Sequence, residues 1–254
     1  MGIYLNPDSS KFEEAVNSDI YVDKTGLLTY TNSVLHTMQK YICISRPRRF
    51  GKSTAANMLT AYYSRGCDAE QIFSQFEIAK DSGFKKYLNK YNTISVNMQE
   101  ILSRSRSIYE LIERFNKLLI RDLKKEYPDV DYFDDTDVIE CMQDVYSQKK
   151  QAFIVILDEW DCIFREYKED KEAQEKYLDF LRDLLKDKAY IHLAYMTGIL
   201  PIKKYGTHSA LNMFDEFSMI DPGPLAQYVG FTENEVKKLC GQYQMDMAEV
   251  KSWY

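Results

Sequence analysis

Three consecutive residues, Gly51, Lys52 and Ser53, have the types and order that bind a phosphate chain. An apolar stretch at 41–45 precedes them and a helix-favouring stretch at 55–59 follows, which predicts a strand, a tight loop and a helix. Backbone N–H groups at the start of such a helix face a polyanion, and the helix dipole adds to the attraction. In this pattern Lys52 reaches the β- and γ-phosphates from the protein surface, Ser53 binds Mg²⁺, and Gly51 lets the backbone approach closely.

The loop departs from the full phosphate-binding motif at one position. The motif G-x-x-x-x-G-K-[ST] begins with glycine, and this chain has Arg46 there. Because a degenerate motif also occurs by chance in an ordinary turn before a helix, the loop alone leaves both interpretations open. The predicted nucleotide-binding residues are those of the whole loop, namely Arg46, Pro47, Arg48, Arg49, Phe50, Gly51, Lys52, Ser53 and Thr54.

A second apolar stretch, at residues 152–157, supports nucleotide binding. It is uninterrupted and rich in β-branched residues, which is typical of a central parallel strand buried on both faces. Asp158 and Glu159 follow directly, at the strand end where ligand crevices open in α/β sheets. Asp158 is therefore the predicted magnesium ligand, through water, and Glu159 the predicted base that deprotonates an attacking water. A solvated strand end is the alternative.

Composition is that of an ordinary globular protein. The 254 residues carry a net charge of −6, so the chain as a whole gives no indication of nucleic-acid binding. Its five cysteines include no C-x-x-C pair, which favours reduced cytosolic thiols. No signal peptide is visible, and no apolar run approaches the ~20 residues needed to cross a bilayer. We therefore expect a soluble cytoplasmic protein with no membrane partner.

Strands and helices alternate along the chain, which predicts a parallel sheet covered on both sides. The predicted strands are 41–45, 92–98, 152–157, 190–197 and 216–220, and the clearest helices are Ser107–Glu126, 172–187 and one starting at Thr232. Ser107 with Glu110, and Thr232 with Glu235, have the spacing of capping boxes. The strongly apolar runs 41–45, 152–157 and 190–197 are predicted to be adjacent at the centre of the sheet.

Two other polar features are not predicted to bind a metal. The acidic stretch 129–137 lacks the central Gly and distal Glu of a calcium loop, so a solvated loop that opens a helix near Thr136 is predicted. His192 lies within a predicted strand and is interpreted as a packed residue.

Taken together, these motifs resemble the prokaryotic AAA-ATPase-like family. The resemblance rests on residues 46–53, on Tyr21-Val-Asp-Lys-Thr25 before them and on Leu157-Asp-Glu-Trp-Asp161 after them, and it extends to 197–203, 209–214 and 230–236. It implies a P-loop NTPase of the ASCE or AAA-like type, an α/β three-layer sandwich with a mostly parallel five-stranded sheet. Arg46 is then normal for the family, whereas Trp160 stands where tyrosine is more usual.

The resemblance also implies a domain organisation. An AAA-like ATPase domain would span 1–221, and 222–254 would begin a C-terminal helical lid. Members often continue into a PD-(D/E)XK-type nuclease domain, so we expect a truncated or short product that lacks this partner. A homo-oligomer is compatible with the resemblance, and nuclease activity is not expected in these residues.

Two functions are open at this point. The first is an ATPase that binds ATP and Mg²⁺ and hydrolyses ATP slowly, with Glu159 as base and Thr197 as a sensor of the γ-phosphate or the attacking water. Thr197 ends a predicted strand before Gly198, so an ordinary strand-end role is equally open. The second is a nucleotide-responsive switch with little turnover that regulates the absent nuclease-like domain. The presence of Glu159 favours the ATPase, and the short lid favours the switch.

Overall fold

Five parallel strands form one sheet at the centre of the computed structural model, which describes residues 2–202 and 211–252. The order β2-β3-β4-β1-β5 confirms the predicted α/β class. Lys203, Ser209 and Ala210, which belong to two of the family motifs, lie outside the described residues, as do Trp253 and Tyr254. The strands are β1 (Tyr41–Ser45), β2 (Asn92–Asn97), β3 (Phe153–Asp158), β4 (Ile191–Gly198) and β5 (Asp215–Phe217).

The three most apolar strands lie at the centre of the sheet, as predicted. β3 pairs with β2 on one side and β4 on the other, and β4 pairs with β1. The two weaker runs form the sheet edges, and β5 is shorter than the predicted 216–220. Ile44 is in register with Thr197, and Leu157 with Met196. The carboxyl ends of β1, β3 and β4 therefore lie next to one another on the same side of the sheet.

Helices cover both faces of the sheet and explain why its central strands are apolar throughout. In β3, Ile154 and Ile156 pack into one buried cluster, whereas Phe153, Val155 and Leu157 pack into the other. The helices are α1 (Ser10–Val16), α2 (Gly26–Val34), α3 (Lys52–Tyr63), α4 (Glu70–Phe73), α5 (Phe84–Tyr87), α6 (Met98–Leu102), α7 (Ile108–Glu126), α8 (Val138–Lys149), α9 (Cys162–Glu166), α10 (Lys171–Leu185), and the C-terminal helices Glu233–Gln242 and Met247–Ser252. Short 3₁₀ turns occupy Glu77–Lys80 and Gly223–Leu225.

Side-chain caps fix the starts of the predicted helices. Thr232 and Glu235 form the complete capping box. The Ser107 hydroxyl accepts the Glu110 N–H, but the Glu110 carboxylate accepts the backbone N–H of Arg106. Only half of the predicted Ser107–Glu110 capping box therefore forms. α8 starts two residues later than predicted, at Val138, because Asp137 caps it. None of the helices in the described part of the chain is long and apolar enough to cross a membrane.

The His36–His192 contact gives stability a pH dependence. The two imidazole ring centroids are 3.4 Å apart, and burial, with the positive charges of His36 and Lys40, lowers the pKa of His192 to about 4. The unfolded chain, with a histidine pKa near 6.5, therefore binds the extra proton first as the pH falls. Stability that is present above pH ~6.5 should decline towards pH ~4. Because the ring is only partly buried and is screened by solvent, the loss at pH 5 is expected to be on the order of 1 kcal/mol.

Urea unfolding at pH 7 and pH 5 measures this effect. We expect His192→Gln to lose clearly less stability than the parent chain between these two pH values, since the variant has no imidazole to charge at this position. An equal loss in both chains would show that other groups cause the pH dependence.

Candidate nucleotide site

The loop between β1 and α3 has the backbone of a tight turn that runs into a helix. Gly51 has φ +72°, directly before the first helical residue, Lys52. A Cβ on Gly51 would meet none of the described atoms within 4 Å, so lack of space is not what requires glycine here. The left-handed backbone conformation is what favours it. Arg49 also has a positive φ, of 69°. The loop thus places the first turn of α3 at the carboxyl end of β1.

Lys52 is buried, whereas the sequence predicted it at the surface. Its side chain folds under the loop, and its Nζ donates to the Pro47 carbonyl at 2.9 Å. Burial lowers the pKa of Lys52, against the opposing attraction of Glu159, Asp158 and Asp161. The ammonium therefore lies within the field of the carboxylates around the end of β3. Ser53 and Thr54, the next two residues of α3, are exposed.

Arg46 uses its side chain to hold the start of the loop. The residue is 2% exposed, and its Nη1 donates to the carbonyls of Phe217 at 2.8 Å and Ser45 at 3.2 Å. Its backbone N–H donates to the Gly198 carbonyl at 3.1 Å. The arginine that replaces the first glycine of the motif thus joins the loop to β4 and β5. Pro47, Arg48 and Arg49 are exposed.

Phe50 links the loop to the C-terminal segment. The ring is half-buried against Gly230, where a Cβ would lie 2.7 Å from a ring carbon. Gly230 has φ +97°, so both its backbone and the close ring require glycine. Phe50 therefore connects the loop to the C-terminal segment at Gly230.

Asp158 and Thr197 meet at the ends of neighbouring strands. The Thr197 hydroxyl donates to Asp158 Oδ1, and the Glu159 N–H donates to the same oxygen at 3.0 Å. Thr197 is fully buried and Asp158 is 8% exposed. The structure thus brings together the predicted magnesium ligand and the predicted sensor, with the hydroxyl fixing the orientation of the carboxylate.

Glu159 turns away from the strand and pairs with Arg165. Its φ of +55° is not that of a β-strand. The direction of the Glu159 side chain therefore does not follow the alternation of side chains along β3. Arg165 Nη2 donates to Glu159 Oε2 and also to Gln99 Oε1, the latter at 3.2 Å. Neither Arg165 nor Gln99 was predicted from the sequence. The four-residue spacing from Asp161 to Arg165 was the one signal that could have indicated the arginine.

Asp161 ties the end of β3 to the turn that follows β4. The carboxylate is fully buried, and its Oδ2 accepts the N–H groups of Ile199 at 3.0 Å and Leu200 at 2.9 Å. A Cβ on Gly198 would lie 2.7 Å from Trp160 Nε1 and 2.9 Å from Asp161 Oδ1, so this position has no room for a larger residue. The turn beside Thr197 is thereby held against the residues that follow β3.

The N-terminal motif 21–25 is a structural brace. Lys24 Nζ donates to both carboxylate oxygens of Glu235, at 2.6 and 2.7 Å, and to the Gln227 carbonyl at 2.6 Å. Asp23 and Thr25 accept the N–H groups of the 3₁₀ turn at Glu77–Lys80. The motif thus holds the C-terminal segment that also contacts Phe50.

The sheet order and the loop at the end of β1 place the chain in the class of nucleotide-binding P-loop ATPases. The chain belongs to the family described as "Predicted AAA-ATPase", whose sequence profile matches residues 9–207. No curated protein matches the sequence.

Two solved structures are similar in part. The Aeropyrum pernix ORC2 protein, solved as ADPNP–ADP complexes, has 12% identity and a TM-score of 0.44, and the match covers 86% of this chain and 49% of that one. Cdc6p from Pyrobaculum aerophilum has 11% identity and a TM-score of 0.38, with coverage of 93% and 52%. The chain spans about half the length of each.

Proposed function

We propose that the chain binds ATP with Mg²⁺ on the 46–54 loop and hydrolyses it slowly. The observation that carries this proposal is the state of Lys52. Its ammonium is buried, lies in the field of three carboxylates, and has one hydrogen bond among the described residues, to a backbone carbonyl. A buried ammonium is favourable only with adequate partners, and its two remaining N–H groups suit phosphate oxygens.

The residues around Lys52 supply the rest of a phosphate site. The N–H groups at the start of α3 are available to an anion, as at other helix N-termini. Arg46 joins the loop to the Phe217 carbonyl of β5, and Thr197 holds the Asp158 carboxylate in one orientation. Glu159, whose charge acts on Lys52 and whose side chain is 24% exposed, is the residue we propose as general base for the attacking water.

The donor set fits magnesium. The Ser53 hydroxyl is exposed on the first turn of α3, and Asp158 Oδ2 has no hydrogen bond among the described residues. Mg²⁺ prefers oxygen ligands and keeps several waters, so Ser53 would bind it directly and Asp158 through water. The bound ion would neutralise charge on the phosphate oxygens.

Calorimetric titration of ATP with Mg²⁺ and with excess EDTA tests this assignment. We expect removal of the metal to weaken ATP binding by about tenfold or more, because phosphate charge would then be neutralised only by the positively charged side chains of the loop. Added Mg²⁺ should restore the affinity, and Asp158→Asn should show a smaller metal dependence. Equal affinity in EDTA and in Mg²⁺ would contradict the magnesium assignment.

A second function is favoured by the Glu159–Arg165 pair. A carboxylate that is hydrogen-bonded to an arginine is not free to accept a proton from water, which suits a module that binds ATP but turns it over little. We propose that such a switch would act through residues 222–254, as the start of a helical lid next to the 1–221 ATPase domain, on a nuclease-like partner domain. Phe50 on Gly230 and Lys24 with Glu235 support this route. Steady-state phosphate release with saturating ATP distinguishes the two functions.

A further inference from the structure

Glu159 is the negative charge that acts most strongly on Lys52. Its effect exceeds those of Asp158 and Asp161, although Lys52 and Glu159 belong to different elements of the fold. A carboxylate and an ammonium in a partly buried cleft attract each other strongly, since the effective dielectric constant is low there. Without another partner, Glu159 would be the carboxylate most strongly attracted to Lys52 and would compete with a phosphate group for it.

Glu159 does not make that contact, because it is bound elsewhere. Its Oε2 accepts from Arg165 Nη2, while Lys52 Nζ donates to the Pro47 carbonyl. An arginine–carboxylate hydrogen bond is charge-assisted and among the stronger side-chain interactions. Arg165 thus competes with Lys52 for the same carboxylate and, in this arrangement, holds it.

Arg165 is itself kept in place by two further groups. Its Nη2 also donates to Gln99 Oε1, and its Nε lies 3.5 Å from Asp161 Oδ2. The side chains of Arg165 and Asp161 are 17% and 0% exposed, so this attraction is little screened by water. Asp161 is anchored by the N–H groups of Ile199 and Leu200. The guanidinium therefore has a fixed support that does not involve Lys52.

We propose that Arg165 is a positioning residue that holds Glu159 away from Lys52 and so keeps the lysine open to the phosphate chain of a nucleotide. This inference rests on the proposed ATP binding. Arg165 also acts on Lys52 directly, as a like charge. The loss of ATP affinity that its removal causes through Glu159 should disappear when position 159 carries no charge.

A double-mutant cycle measured as Mg²⁺–ATP affinity tests this dependence. Arg165→Gln should weaken binding by about tenfold, the equivalent of one charge-assisted hydrogen bond, because the freed Glu159 occupies Lys52. Glu159→Gln should bind at least as tightly as the parent chain. The double variant should bind within about twofold of Glu159→Gln, since the competing charge is gone.

Arg165→Lys is the conservative variant of the same cycle. It keeps a cation at this position, so we expect a loss of no more than about threefold, smaller than that of Arg165→Gln. Thermal unfolding of each variant reports folding separately from affinity. Should Arg165→Gln fail to fold, Arg165→Met, which also removes the charge but keeps a long side chain, takes its place in the cycle with the same expected loss.

The possible failures are distinguishable. An equal loss of affinity from Arg165→Gln with and without Glu159→Gln, or no loss at all, would overturn the role of Arg165 and leave ATP binding standing. No ATP affinity in the parent chain would overturn the proposed function itself, and the inference with it.

Discussion

Replacing Lys52 by alanine is expected to weaken ATP binding by about one to two decades. The Nζ group would form charge-assisted hydrogen bonds with the phosphates, each worth roughly 1.5–3 kcal/mol, and alanine cannot form them. The fold should persist, because Lys52 has one described hydrogen bond, to the Pro47 carbonyl at the protein's own loop. Isothermal titration with Mg²⁺–ATP measures the affinity, and circular dichroism confirms folding.

Lys117→Ala is the matched control for this substitution. Lys117 is an exposed lysine of α7 whose partner, Glu113, lies one turn away on the same helix. Its removal changes net charge by the same amount, so a general electrostatic effect would weaken ATP binding equally in both variants. Unchanged affinity in Lys52→Ala would mean that the 46–54 loop is not a phosphate site.

Glu159→Gln is expected to lower turnover while ATP affinity is retained. Glutamine keeps the shape and can still accept a hydrogen bond from Arg165, but it cannot take a proton from water. General-base catalysis typically contributes ~10²–10⁴-fold, which sets the expected loss in kcat. The measurement is steady-state phosphate release beside ATP affinity for the same protein.

Glu166→Gln provides the control for the second substitution. Glu166 is exposed at the end of α9, next to Arg165, so it shares the local charge environment without facing Lys52 in the contacts described. Its turnover should equal that of the parent chain. If the parent chain hydrolyses ATP no faster than Glu159→Gln, the chain is a nucleotide-binding switch and the hydrolytic function is wrong.

Elements with a strong local signal could be predicted from the sequence. The central strands were found because a parallel strand covered by helices on both faces must be apolar at every position, as in Phe153–Leu157. The helix Ile108–Glu126 was found because its apolar residues keep a helical period and Ser107 caps it. One-turn helices such as Glu70–Phe73 and Phe84–Tyr87 are too short to show a period.

The candidate site was predictable only in part, because several contacts depend on tertiary structure. The positions of Lys52 at the start of α3 and of Asp158 at the end of β3 follow from the order of the elements. The burial of Lys52, the left-handed backbone of Glu159 and its pairing with Arg165 do not. Each is decided by side-chain contacts in the folded chain, such as Lys52 with the Pro47 carbonyl and Arg165 with Glu159, which no local pattern encodes.

The buried guanidinium at position 46 has a consequence for motif searches. A glycine-based pattern treats the first position of the loop as a place where a side chain would obstruct the ligand. Here that side chain is directed to the carbonyls of Ser45 and Phe217, so it is accommodated by the sheet edge. A search that requires the first glycine would miss such a loop. A search that accepts arginine at this position, when an edge strand lies beside β1, would recover it.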